Sequence, residues 1–189
     1  MPNQGMDPLL KDWIQVIQWS VAIVGGLIAA GVAIYQLRAN TKQRERELRF
    51  KQAEAGKEIL EELFRDDESK RALEMLDFKN NYFKNEKGEE FHVSSQDIPK
   101  ALKNANEKED ARTVLIVRSF DALFYSLNLF EHFITVELTT EEDVSIPMEY
   151  YANRLAKNKS VYVEYIQNNT YPKALIFLNR FSDWRESRA

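Results

Sequence analysis

The sequence lacks cysteine altogether and has only two histidines, His92 and His132. Disulfides, thiolate metal sites and cysteine nucleophiles are therefore excluded. Two histidines are too few for a histidine-rich metal site, although a mixed carboxylate site stays open. Glycine and proline are also scarce, at six and five in 189 residues, which is typical of a helical protein with short connections. We predict an all-α fold with no metal and no cofactor.

The net charge is small and negative, at −4, with a pI of about 5.4. This balance argues against nucleic acid as a partner of the whole surface. The sequence contains no P-loop, dinucleotide fingerprint, zinc spacing or nucleophile elbow. No catalytic residue is therefore predicted.

One long apolar run is present, from Trp13 to Leu37. About 25 residues at roughly 1.5 Å each are long enough to cross a hydrocarbon core of about 30 Å. Between Trp19 and Tyr35 no residue is charged and only Ser20 is polar. The aromatic residues lie towards the two ends, where the headgroup layer favours them. We predict a transmembrane helix over 13–37; the alternative is a buried helix of a soluble core.

The charges that flank this run predict its orientation. Asp7 and Pro8 form a helix start, and the N-terminal side carries one basic residue, Lys11. Basic residues follow the run and are expected to face membrane lipid: Arg38, Lys42, Arg44 and Arg46. The positive-inside rule then places residues 1–12 outside and the C-terminal part in the cytoplasm, for a protein of the bacterial inner (plasma) membrane.

Small residues recur every four positions within the predicted span. They form two adjoining stripes, Ala22, Gly26 and Ala30, and Gly25, Ala29 and Ala33. Small residues at this spacing let helix backbones approach closely in lipid, so the stripes predict a homo-oligomer. The alternative is that glycine and alanine are simply frequent in membrane spans.

Residues 38–64 contain no proline and favour helix, so we expect a juxtamembrane stalk that continues the span. The cytoplasmic helical domain is predicted over 65–189. A second helix that carries Leu73, Leu76 and Phe78 is predicted after Arg65-Asp66-Asp67. Residues 79–110 are expected to be a flexible polar region with one short helix from about Ser95 to Asn104. His92, in this region, is expected to pack and not to bind a ligand.

The segment from Ala111 to Leu138 is predicted to be the central helix of a bundle. Its apolar face carries Leu115, Ser119, Leu123, Leu127, Phe130 and Ile134, widened by Phe120 and Phe124. A second stripe, the polar ribbon, carries Arg118, Asp121, Tyr125, Asn128, Glu131 and His132, with Thr135 at its end. The ribbon is either a solvated back face with an Arg118–Asp121 pair, or a groove or interprotomer contact that recognises a partner.

Two further helices are predicted after this segment. Thr139 and Glu142 have the spacing of a capping box that opens the first, in which Pro147 is expected to be a kink or the true start. The last helix is expected to begin at Tyr171-Pro172 and to continue through Trp184.

This layout resembles an uncharacterised group of small bacterial membrane-tethered helical proteins. The resemblance rests on the segment SFDALFYSLNLFEHF, with Asn128 and Glu131 as an N-x-x-E-like core, followed by the acidic turn from Thr139 to Asp143. It implies a single span, a charged stalk and a helical domain.

The chain is also similar to the membrane accessory proteins of type VI CRISPR loci. That likeness implies a divergent helical nuclease-like domain and assembly into a membrane ring. The nuclease signature of that superfamily is Arg, four to six residues, then His. Before His132 those positions hold Leu127, Ser126 and Tyr125, and Arg118 lies fourteen residues away, about 21 Å along a helix.

The sequence thus predicts a non-enzymatic, self-associating membrane protein. Its cytoplasmic domain is an interaction scaffold, or the protein perturbs the membrane as a pore-forming effector, for instance in antiviral defence. One alternative is a membrane-tethered nuclease or hydrolase that uses His132. Another is a monomeric tether that recruits a soluble protein partner through residues 79–110.

Overall fold

The computed structural model describes residues 8–78, 80–85, 87–105 and 110–186, with side chains except at 8–12, 14–18, 21–23, 182 and 183. The described residues are mostly helical, which confirms the predicted fold class at that level. The elements are α1 (Pro8–Arg65), α2 (Asp67–Asp77), β1 (Asn80–Lys84), β2 (Glu90–Ser94), α3 (Asp97–Lys103), α4 (Ala111–Thr135), α5 (Glu141–Ala156), α6 (Lys159–Asn168), α7 (Pro172–Leu178) and α8 (Ser182–Glu186).

The chain divides into two compact units, Met1–Arg49 and Phe50–Ala189. The second unit therefore begins inside the predicted stalk, earlier than the expected boundary at residue 65. The reason is that the last turns of α1 are already part of the core: Leu63 is buried, and Ile59 and Leu60 pack against it.

The first helix, α1, is continuous over 58 residues, as predicted, and begins at Pro8. Asp7 lies outside the described residues. Pro8 is tolerated at the first helical position, and the next proline in the sequence is Pro99. The helix ends at Arg65 because Asp66 caps α2, its Oδ2 accepting a hydrogen bond of 2.7 Å from the Ser69 N–H.

The central helix of the second unit is α4, which packs against α2, α3 and α7. Asp110 caps its N-terminus by accepting from the N–H groups of Arg112 and Thr113. The residues predicted for the apolar face are buried except Ile134, which packs partly buried against the core. The prediction of a central bundle helix with this face is therefore confirmed.

Part of the region expected to be flexible, within the described residues 80–85 and 87–105, has regular secondary structure. Strands β1 and β2 pair antiparallel, with Tyr82 opposite His92, and bury Phe83 and Val93. Gly88 adopts φ +79° in the connecting turn, a conformation that glycine tolerates best. The short helix is confirmed as α3. His92 is exposed and makes an edge contact with the Tyr82 ring, their centroids 5.2 Å apart.

The capping box of α5 lies one residue later than predicted. The Asp143 carboxylate accepts hydrogen bonds from the Thr140 N–H (3.1 Å) and hydroxyl (2.6 Å). Thr139, predicted as the cap, is buried instead, where it faces Gly56 of α1. The helix runs through Pro147 without starting there. The predicted last helix is in fact two, α7 and α8, separated by a turn at residues 179–181.

Candidate functional site

The apolar part of α1 exposes its side chains within the Met1–Arg49 unit. Every residue from Val24 to Leu37 is exposed, with Leu27 69% and Tyr35 74% accessible. Trp13 and Trp19 are also exposed. No other described part of the Met1–Arg49 unit packs against this uncharged helical surface.

The two small-residue stripes lie on this exposed helix. A Cβ atom built on Gly25, Gly26 or Gly31 meets no atom within 4 Å. Ala29, Ala30 and Ala33 are exposed, and the Ala22 side chain lies outside the described residues. The stripes therefore have room for a neighbouring helix. The basic residues that follow, Arg38, Lys42, Arg44 and Arg46, are exposed as well.

Among the residues described, one helix meets the length and hydropathy expected of a membrane span, and it is α4, not α1. Half of its apolar window is buried inside the second unit. The buried residues, including Phe120, Leu123 and Leu127, are those that pack against the surrounding helices. The apolarity of α4 is thus that of a core helix. The predicted span over 13–37 includes residues whose side chains are not described.

The polar ribbon of α4 lies against other helices over most of its length. Arg118 forms an ion pair with Glu68 of α2, with 3.1 Å between Nη2 and Oε1. Asp121 accepts hydrogen bonds from the hydroxyls of Tyr165 (2.7 Å) and Tyr171 (3.3 Å) through the same Oδ1 atom. The two ribbon residues predicted to pair with each other therefore both have partners on other elements.

Further along the ribbon, Asn128 and His132 contact the start of α7. Asn128 Oδ1 accepts a 3.0 Å hydrogen bond from the Lys173 N–H, which caps α7 from outside the helix. His132 Nδ1 lies 2.9 Å from Lys173 Nζ. Tyr125 is exposed, as Arg118 and His132 are, and lines a groove together with Ile59 and Phe133.

Glu131 is the buried charge of the ribbon, 4% exposed. Arg180 donates to both of its carboxylate oxygens, each over 2.8 Å, and to Glu141 Oε2 over 2.7 Å. Arg180 lies in the turn between α7 and α8, so one guanidinium connects that turn to α4 and to the start of α5. Such bidentate pairs are the geometrically specific form of an ion pair.

These contacts shift the pKa values of several partners. The hydrogen bonds to Glu131 hold the pKa of Arg180 above its ordinary value. Burial, then the negative charge of Asp121, raises the pKa of Tyr171 to about 12. Burial and the Asp121 hydrogen bond also raise the pKa of Tyr165. Asp121, Asn128 and Glu131 therefore connect α4 to α6, α7 and the turn after α7, whereas Arg118, Tyr125 and His132 are exposed.

One further feature, which no sequence pattern indicated, is a cleft of about 580 Å³ between α2, α3, α5 and α6. We name it the Asp77 cleft. Its lining comes from four separate stretches of the chain: Met75–Phe78, Ser95–Lys100, Arg154–Asn158 and Tyr162. Because no linear motif links these stretches, only the fold could bring them together.

No group of three or more His, Asp or Glu side chains is placed to hold a metal ion in the part of the chain that the structure describes. No known family model, curated protein or solved structure matches this chain. The resemblances to membrane-tethered helical proteins and to CRISPR-associated membrane proteins therefore stay predictions.

Proposed function

We propose that this chain is a single-pass protein of the bacterial inner membrane. Its copies associate through the small-residue stripes, and its Phe50–Ala189 unit is an interaction module in the cytoplasm. The observation that carries the proposal is the exposed, uncharged run of α1 from Val24 to Leu37.

The physical support is the cost of leaving that run in water. The exposed large aliphatic side chains there are Val24, Leu27, Ile28, Val32, Ile34 and Leu37. At about 1.5–3 kcal/mol for each side chain buried, covering them with lipid is worth on the order of 10 kcal/mol. Patches of this extent on a soluble monomer mark a membrane or protein contact.

Extraction tests the membrane location. The full-length protein should pellet with membranes, resist alkaline carbonate and dissolve in mild detergent. An Ile28→Arg variant places a charge near mid-membrane, at about 2.5–3.5 kcal/mol by insertion measurements, and should lower membrane recovery. Recovery of the unaltered protein in the detergent-free supernatant would contradict the proposal.

The absence of cysteine makes the orientation directly testable, because a single introduced thiol is the only labelled group. Ser160 is exposed in the second unit. A Ser160→Cys variant should resist a membrane-impermeant maleimide in intact spheroplasts and react after lysis, whereas Gln4→Cys should react in both. The reverse pattern would place the second unit outside.

Self-association has a matched control within the helix. Gly26 lies on a predicted stripe, whereas Gly31 is five residues further and so points roughly 140° away from it. Neither glycine has an atom of the chain within 4 Å of a built Cβ, so leucine fits both positions within one copy. Gly26→Leu should reduce crosslinking in membranes and Gly31→Leu should not.

If both variants reduced crosslinking equally, the copies would not associate through the small-residue stripe. The number of copies separates the two forms of the proposal. A dimer favours a scaffold, whereas a ring of many copies favours the pore-forming, membrane-perturbing effector that the CRISPR-associated resemblance implies. Native mass measurement of the detergent complex decides between them.

A further inference from the structure

Both apolar and polar side chains line the Asp77 cleft. Met75, Ile98 and Tyr162 are among its lining residues and are buried. Its volume, about 580 Å³, lies within the range of small-molecule sites. All of its lining belongs to the second unit, so ligand binding in the cleft does not depend on the membrane proposal.

Positive charge dominates the walls. Lys100, Arg154 and Lys157 line the cleft, against one carboxylate, Asp77. The Arg154 guanidinium is held in place by Tyr150, whose hydroxyl lies 2.7 Å from Nη2 and whose ring centroid lies 5.1 Å from Cζ. Three cations around one cavity favour an anionic ligand, most of all one with a phosphate group.

Asp77 is the hydrogen-bond acceptor of the cleft. The residue is partly buried, and its Oδ2 atom has one long hydrogen bond, 3.5 Å from the Tyr151 hydroxyl. Its Oδ1 atom is buried, so a ligand in the cleft does not reach it. A carboxylate oxygen can accept more than one hydrogen bond, so Oδ2 can accept another from a ligand N–H group.

Phe78 supplies a third kind of contact. It lines the cleft at the end of α2, and 54% of its surface is exposed. An exposed aromatic ring beside a cavity offers a face for stacking, and base–aromatic stacking is worth about 1–3 kcal/mol. Phe78 and Asp77 both line the cleft, so one site contains an aromatic ring and a carboxylate.

We propose that the Asp77 cleft binds a mononucleotide. Its base stacks on Phe78 and donates an N–H to Asp77, and its phosphate is held by Lys100, Arg154 and Lys157. Adenine, guanine and cytosine carry exocyclic amino groups that a carboxylate can accept from. The cleft is a binding site for the intact nucleotide, with no bond formed or broken.

Calorimetric titration of the full-length protein in mild detergent tests the proposal with defined probes. The nucleotides are 5′-AMP, 5′-GMP and 5′-CMP. Ribose 5-phosphate and inorganic phosphate lack the base, and adenosine and guanosine lack the phosphate. At least one nucleotide should bind about tenfold or more tightly than each of its fragments, since charged and stacking contacts then act together.

Variants locate the site. Lys157→Gln and Asp77→Asn should each weaken nucleotide binding about tenfold, whereas Lys70→Gln, an exposed lysine of α2 outside the cleft, should not. Circular dichroism and thermal melting verify folding, and Phe78→Ala replaces Asp77→Asn if that variant does not fold.

Three results would overturn the proposal. The first is that none of the three nucleotides binds with a dissociation constant below about 1 mM, which corresponds to a binding free energy of about −4 kcal/mol. The second is binding of ribose 5-phosphate or inorganic phosphate as tightly as the nucleotides. The third is unchanged affinity in both cleft variants, which would place the nucleotide elsewhere.

Discussion

Removing the Arg180 guanidinium would test how the C-terminal helices are held on α4. The guanidinium has two carboxylate partners of very different exposure. The Glu131 side chain is 5% exposed and receives two hydrogen bonds, whereas the Glu141 side chain is 49% exposed and receives one. The two partners of one cation therefore provide an internal comparison between a buried and a surface ion pair.

The expected magnitudes follow from that difference. Arg180→Ala leaves the Glu131 carboxylate buried without its cation, which costs about 3–5 kcal/mol in comparable pairs. The Arg180 side chain is 27% exposed, so water reaches the site. We therefore expect a loss of about 3 kcal/mol in the free energy of unfolding, at the low end of that range. Glu141→Ala removes only the exposed ion pair with Arg180, which contributes about 0.2–1 kcal/mol to stability. Replacing both partners of the buried pair, as Glu131→Leu with Arg180→Met, should cost little, because no buried charge is left unpaired and Glu141 loses only an exposed ion pair.

Trp184 makes the measurement specific to the second unit, because it is buried in α8, directly after the Arg180 turn. With Trp13→Phe and Trp19→Phe as the background, Trp184 is the only tryptophan left. Its fluorescence during urea unfolding gives the free energy of the bundle. Equal losses for Arg180→Ala and Glu141→Ala, or a double variant as unstable as Arg180→Ala, would refute the reasoning.

Two further predictions concern the contact of α1 with the bundle and the Asp121 cluster. Gly56→Ala should destabilise the bundle by about 1–3 kcal/mol in the same assay, because the new Cβ would lie 2.6 Å from Thr139 Oγ1 and 2.8 Å from Asp143 Cβ; an increase in stability would contradict this packing. Tyr171 should ionise near pH 12, as measured by ultraviolet difference spectra against Tyr171→Phe. The raised pKa means that its contribution to stability is complete below its ordinary value of 10.0 and is lost as the pH rises through about 12. Asp121→Asn should move this titration towards 10.0, and an unmoved titration would exclude Asp121 as a cause.

The helices with the clearest periodicity were predictable from the sequence. The apolar positions of α4, from Leu115 to Phe130, recur at helical spacing, and their burial is what the pattern predicts. The second helix was predictable for the same reason, since Leu73 and Leu76 recur at helical spacing, whereas its capping residue, Asp66, is seen in the structure. In both cases the information is local, within a few turns of chain.

The features that sequence analysis missed depend on contacts between distant residues. The hairpin of β1 and β2 buries only Phe83 and Val93, so its alternation is too short to stand out. The predicted last helix divides at the turn that contains Arg180, whose partner Glu131 is 49 residues away. The capping box differs: Thr139 with Glu142 and Thr140 with Asp143 both have its spacing, and the sequence alone does not show that Thr139 is buried beside Gly56. The hairpin packing and the Arg180–Glu131 pair have no signal in the local pattern.

The internal contacts of the polar ribbon limit which of its groups can bind a partner. Asp121, Asn128 and Glu131 already bond to α6, α7 and the turn after α7. A partner that used these groups would have to displace those helices, and with them a buried ion pair. In the Asp77 cleft, by contrast, the Lys100 and Lys157 side chains are exposed, and Asp77 Oδ2 has one long hydrogen bond, of 3.5 Å, from Tyr151. A small anionic ligand can contact these groups without displacing a helix of the bundle.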